Sequence, residues 1–129
     1  MSTVLIVEDN DKNMKLARDV LQAKGYQTLE AVTGEDGVRL AMEKKPDLVL
    51  MDIQLPGISG IEAFKRIRGD AATKAIPVIA LTASVTPTDR STITAAGFDA
   101  FLGKPINLKE FIDTVKRLVE GAKKGETKT

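Results

Sequence analysis

The stretch Val4-Leu5-Ile6-Val7-Glu8-Asp9-Asn10-Asp11 (VLIVEDND) decides the fold. Four branched apolar residues in a row, with no polar alternation, read as a strand buried on both faces of a parallel sheet. The run then breaks into acids. Two further runs have the same character. Leu48-Val49-Leu50-Met51 ends in Asp52, and Val78-Ile79-Ala80-Leu81 ends in Thr82-Ala83-Ser84. Gln27–Ala31 and Ala100–Leu102 are weaker strand candidates, shorter or more polar, and read as sheet edges.

Helical periodicity fills the gaps. Met14, Ala17, Val20 and Leu21 share one face; Val38, Ala41 and Met42 form a second stripe; Ile61, Phe64 and Ile67 form a third. Leu108, Phe111, Ile112, Val115, Leu118 and Val119 make the longest. Ser59 with Glu62, and Asn107 with Glu110, place an N-cap three residues before a Glu. Thr86-Pro87 starts a helix that runs through Ile93 and Ala96 and stops near Gly97. Alternating strands and helices with short connections predict an α/β fold, a parallel sheet covered by helices on both faces. At 129 residues the chain suits one domain of the usual ~100–200. Residues 1–121 are expected to form it. Residues 122–129, nearly free of apolar side chains, are expected to be a flexible tail or the stump of a linker.

Composition removes whole chemistries. With no His, Cys or Trp, the chain holds no Ser-His-Asp triad, no Cys nucleophile, no Cys/His zinc site and no disulfide. Nineteen Lys and Arg nearly cancel 18 Asp and Glu, for a net charge of +1. That balance argues against nucleic acid or a membrane surface as a partner attracted by net charge alone. The apolar run before Glu8 is too short for a signal-peptide core, and no run approaches the ~20 residues of a membrane helix. A soluble cytoplasmic protein is expected.

Open parallel sheets bind ligands beyond the carboxyl ends of their strands. There this chain puts Glu8-Asp9, Asp52, Thr82-Ala83-Ser84 and Gly103-Lys104-Pro105. A phosphate cradle needs a Gly-rich loop after the first strand, whereas Glu8-Asp9-Asn10-Asp11 repels anions. Clustered carboxylates suit a hard divalent ion such as Mg²⁺, or Mn²⁺, held by oxygen ligands. A phosphoryl group could then approach an acid, with Lys104 and the Thr82 hydroxyl on its oxygens. Asp is a competent nucleophile in phosphoryl transfer, which depends mainly on positioning and charge neutralisation. Read singly, Asp9 could cap a helix, Lys104 could be a solvated charge, Thr82 a β-branched strand residue and Phe101 a core aromatic.

Val7-Glu8-Asp9-Asn10, Leu50-Met51-Asp52-Ile53-Gln54-Leu55-Pro56-Gly57, Ala80-Leu81-Thr82-Ala83 and Gly103-Lys104-Pro105 together resemble the motifs of response-regulator receiver domains, over residues 3–120. VEDNDKNMKLARDVL and MDIQLPGISG more narrowly resemble single-domain regulators of the DivK type. The resemblance implies a doubly wound, flavodoxin-like and CheY-like sheet of five strands in the order 2-1-3-4-5, with five helices. It implies Asp52 as phosphoacceptor from a histidine kinase or histidine phosphotransfer protein. Asp9, Asp52 and the Gln54 backbone carbonyl would bind Mg²⁺, with Glu8 assisting. Thr82 and Lys104 would contact phosphoryl oxygens, Thr82 and Phe101 would act as switch residues, and Lys104-Pro105 would be a cis bond. Glu8 stands where many members carry Asp, and Phe101 where many carry Tyr.

The expected function is a stand-alone phosphorylation switch, with no turnover beyond its own phosphorylation and dephosphorylation. A downstream protein would read the surface of roughly Pro87–Ala96, Phe98–Leu102 and Leu108–Leu118, in cell-cycle or division control. A phosphorelay carrier, a phosphate sink or a hybrid-kinase receiver uses the same residues. A Mg²⁺-dependent aspartyl-phosphate phosphohydrolase would need an acid where Gln54 stands. A flavodoxin-like cofactor binder conflicts with the acidic first loop and the absence of Trp.

Overall fold

The computed structural model describes residues 2–55, 57–83, 87–104 and 106–127. The Lys104-Pro105 bond, Ser84 and the Thr86 cap lie outside the described residues. The elements are β1 (Thr3–Val7), α1 (Asp11–Ala23), β2 (Gln27–Ala31), α2 (Gly34–Lys44), β3 (Leu48–Asp52), α3 (Gly60–Gly69), β4 (Val78–Thr82), α4 (Pro87–Ala96), β5 (Ala100–Gly103) and α5 (Leu108–Thr127). The strands pair in parallel in the order β2-β1-β3-β4-β5. The expected α/β class, strand order and helix count all hold.

The apolar runs fill the centre of the sheet. Val4–Val7 and Leu48–Met51 are fully buried, as are Val78–Ala80, and Leu81 is 1 % exposed. Burying one such side chain contributes ~1.5–3 kcal/mol, so these strands fix the fold energetically. Side-chain alternation splits them between two cores. Val4, Ile6, Leu48, Leu50, Ile79, Leu81 and Leu102 pack on α1 and α5, through Met14, Ala17, Leu21, Phe111, Val115 and Val119. Leu5, Val7, Val49, Met51 and Val78 pack on α2 and α3, through Val38, Ala41, Ala63, Phe64 and Ile67. Edge strand β2 keeps Gln27 and Glu30 exposed, in keeping with its polar sequence.

Helix starts follow their caps. Ser59 Oγ accepts from the Glu62 N–H at 3.1 Å, and Asn107 Oδ1 from the Glu110 N–H at 3.0 Å. Asn10 and Thr33 do the same for α1 and α2. On α3 the buried stripe is Gly60, Ala63, Phe64 and Ile67, while Ile61 is only half-buried. The small Ala63 lies against the sheet because α3 approaches it closely. The α5 backbone stays helical to Thr127 and so enters the stretch where the sequence placed a tail. Ala122, Lys123, Lys124 and Glu126 are good helix formers.

Candidate functional site

Register brings the chemistry to one end of the sheet. Val7 pairs Met51, Asp52 pairs Leu81 and Thr82 pairs Gly103. Glu8 and Asp52 continue the alternation Val4-Ile6-Glu8 and Leu48-Leu50-Asp52, so both belong to the α1/α5 face. Lys104, two residues beyond Leu102, shares it. Glu8 is 1 % and Asp52 3 % exposed, whereas Asp9 is open to solvent. One carboxylate oxygen from each of Glu8, Asp9 and Asp52 lies within 4.8 Å of the others.

Lys104 spans the two buried acids. Its Nζ donates to Asp52 Oδ2 at 2.8 Å and lies 2.9 Å from Glu8 Oε1. Asp52 Oδ1 accepts the Gln54 N–H at 3.0 Å, and Glu8 Oε2 accepts the Asn10 N–H at 3.1 Å. Among the described residues no donor is aligned to hydrogen-bond Glu8 Oε1. At 2.9 Å from Nζ it is compensated chiefly by the ammonium charge. Burial pushes the Glu8 carboxyl above its ordinary range; the neighbouring Asp52 adds to this, and Lys104 and the Asn10 N–H oppose it. Burial alone would lower the Lys104 pKa, but Asp52 and Glu8 outweigh it and hold the ammonium protonated above its ordinary 10.5.

One ammonium cannot neutralise three carboxylates. The oxygen-only donor set, with three carboxylates gathered around a single ammonium, fits a hard divalent cation.

Thr82, 3 % exposed, ends β4 on the opposite face by alternation, and its carbonyl accepts the Lys104 N–H at 2.9 Å. Half-buried Phe101 shares that face and pairs Ala80 across the sheet. The Gln54 side chain is exposed at the rim.

Sequence reading missed Gly60. Its N–H donates to the Ile53 carbonyl at 3.0 Å, and a Cβ there would lie 2.0 Å from the Asp52 carbonyl oxygen. Only glycine lets α3 start against the backbone of the acid-bearing strand. The Gly-rich string Pro56-Gly57-Ile58-Ser59-Gly60 was the available signal. Gly57, at φ +77°, faces the Glu35 carboxylate.

Residues 4–116 match the family model of the response regulator receiver domain. The chain belongs to that family. Its receiver sequence is 46% identical over 114 residues to the polar-differentiation response regulator DivK of Brucella anthropi, covering 88% of this chain and 93% of the relative. Its fold is similar to the receiver domain of a sensor histidine kinase from Pseudomonas aeruginosa, solved with a magnesium ion coordinated in its active-site cleft. That match has a TM-score of 0.86 at 32% identity and covers 92% of this chain and 98% of that one. It is also similar to the chemotaxis protein CheY4 of Vibrio cholerae, at a TM-score of 0.85, 27% identity and the same coverage.

Proposed function

We propose that this receiver is a phosphorylation switch in which Asp52 takes a phosphoryl group from a phosphohistidine of a partner kinase or phosphotransfer protein. The observation that carries the reading is the Asp52 carboxylate. It is buried at the end of β3, fixed by the Gln54 N–H and the Lys104 ammonium, and flanked by Glu8 and Asp9. An Asp52 oxygen attacks phosphorus and the P–N bond to the donor imidazole breaks. The imidazole leaves with the electron pair and takes up a proton, and Asp52 becomes an acyl phosphate.

Glu8, Asp9 and Asp52, with the Gln54 carbonyl, would hold Mg²⁺; bound there, the cation offsets carboxylate charge and draws in phosphoryl oxygens. Lys104 moves from carboxylate to phosphoryl oxygen without leaving the site, since its Nζ is already within 2.9 Å of both buried acids. Thr82 supplies a hydroxyl from the neighbouring strand end, and Phe101, on the same face, responds to its movement. No side chain takes a proton from the nucleophile, so a His-free chain suffices.

The event changes charge at one buried carboxylate and alters the surface of α4, β5 and α5 that a downstream protein reads. The likeness to DivK favours polar differentiation and cell-cycle control as the setting. A cytoplasmic location follows from the kinase partner and agrees with the lack of a long apolar helix among the described residues. An ester phosphatase is disfavoured because Gln54 cannot protonate a leaving group.

The test is intact mass after incubation with acetyl phosphate, with and without Mg²⁺, beside Asp52→Asn. A single Mg²⁺-dependent phosphoryl gain, absent from the variant, is expected. Labelling of Asp52→Asn to the same extent would overturn the assignment.

A further inference from the structure

Far from the acids, the start of β5 is held by side chains as well as by its backbone pairing with β4. Asp99 precedes β5. Its N–H donates to the Val78 carbonyl at 3.0 Å, and its Oδ2 accepts the Val78 N–H at 2.7 Å. The same Oδ2 accepts from Arg68 Nη2 at 2.7 Å. Arg68 Nη1 donates to the carbonyls of Lys74 and Ile76, at 2.7 and 3.2 Å. Its guanidinium stacks 4.8 Å over Phe64, whose ring stacks in turn on Phe98 at 4.0 Å. Asp99 therefore engages both the N–H and the carbonyl of Val78, and one arginine ties that clasp to α3 and to the chain entering β4.

The placement matters because β5 is short and an edge. It spans four residues and pairs only with β4. The buried Leu102 excludes a one-residue slip, which would turn every side chain to the other face, but one buried side chain in four residues does little against a slip of two. Even a two-residue slip, which restores the face, carries Lys104 ~6.6 Å along the sheet at ~3.3 Å per residue. Lys104 reaches Asp52 and Glu8 only in the observed register, with its N–H on the Thr82 carbonyl. Glu8, Asp9 and Asp52 lie on or just beyond β1 and β3 and do not depend on β5.

We propose that Asp99, held by Arg68, is a positioning residue for the phosphoryl site: it fixes the β4–β5 register and thereby aims Lys104 at Asp52. The effect on phosphoryl binding rests on the reading of Asp52 above; the effect on register does not. Loss of the clasp is expected to spare cation binding and to impair the phosphoryl half of the site. A general loss of folding would damage both together.

The experiment compares wild type, Asp99→Ala and Asp99→Asn. The readouts are Mg²⁺ affinity by calorimetry, affinity for beryllium trifluoride as a phosphoryl mimic, and amide hydrogen exchange at Lys104. In Asp99→Ala, Mg²⁺ affinity is expected to hold or rise, because an ammonium displaced from Glu8 and Asp52 no longer competes with the cation, while beryllium trifluoride binding weakens about tenfold, since small misplacements of charged groups are costly. The Lys104 amide is expected to exchange faster, with the Val49 and Leu50 amides unchanged. Asp99→Asn keeps an acceptor for the Val78 N–H and is expected to retain most of the binding. Should Asp99→Ala not fold, Arg68→Ala keeps that acceptor and is expected to shift the same readouts in the same direction, by less. Parallel loss of both affinities, or no change in either affinity and in exchange, would overturn the proposal. Wild type that binds no beryllium trifluoride would instead overturn the reading of Asp52, and exchange at Lys104 would still decide the register.

Discussion

Lys104 Nζ lies 2.8 Å from Asp52 Oδ2, across 52 residues of chain and between strands that are not neighbours. β4 separates β3 from β5, so the side chain must reach over the end of the sheet. With Glu8 at 2.9 Å on the other side, the ammonium serves as the internal counter-ion of the acidic cluster. A cation or phosphoryl group entering the site would have to displace part of this arrangement.

Lys104→Met would leave Glu8 and Asp52, with side chains 1 % and 4 % exposed, without their shared counter-charge. Removing one partner of a buried pair costs ~3–5 kcal/mol, and proton uptake by Glu8 would relieve part of it, so we expect ~3 kcal/mol less stability in metal-free urea unfolding. Saturating Mg²⁺ is expected to stabilise the variant more than wild type, because the cation replaces the missing charge. Equal gains would contradict the counter-ion role.

The pH dependence follows from Glu8 and Lys104. Burial raises the Glu8 pKa above its ordinary 4.5. A raised carboxyl favours folding while protonated. Its contribution is therefore complete below 4.5 and is lost as pH rises through the folded-state value. Mg²⁺ demands the ionised form, so stabilisation by Mg²⁺ is expected to shrink on acidification into that range. Calorimetry in buffers of differing ionisation enthalpy should then show proton release on binding. Lys104 is raised by its acidic partners, so its stabilisation persists below its ordinary 10.5 and is lost as pH climbs through the folded value.

Gly60→Ala puts a Cβ 2.0 Å from the Asp52 carbonyl oxygen, against backbone that has no rotamer to change. Overpacking of this kind costs ~1–3 kcal/mol. The shift is expected at the acid-bearing end of β3, so phosphoryl uptake should fall further than stability alone explains. Urea unfolding and intact-mass labelling measure the two.

Ser59→Ala and Asn107→Ala each remove a cap seen at 3.1 and 3.0 Å. Each is expected to cost ~1 kcal/mol in chemical unfolding. They serve separate helices, so the double variant should lose close to the sum. Mg²⁺ affinity is expected to be unchanged, in contrast to Lys104→Met.

The sequence by itself determined the sheet, because a strand covered on both faces needs an unbroken apolar run and three such runs are visible. It determined the helix starts at Ser59 and Asn107, because an N-cap satisfies backbone N–H groups within its own turn. It placed the acids, Thr82 and Lys104 at strand ends, since strand limits are local. Tertiary structure alone decided the rest. Alternation along one strand relates Glu8 to Val4 and Ile6, but not to the helices that cover them. That Lys104 reaches both Glu8 and Asp52 depends on register across four parallel strands. Gly60 is required only because α3 begins against the Asp52 carbonyl. The half-burial of Ile61 and the full burial of Ala63 depend on how closely α3 approaches the sheet. Nothing in the sequence singles out Arg68 and Asp99, and their pairing exists only once β5 is laid beside β4. Local contacts are written in adjacent residues; contacts over tens of residues exist only once the chain has packed.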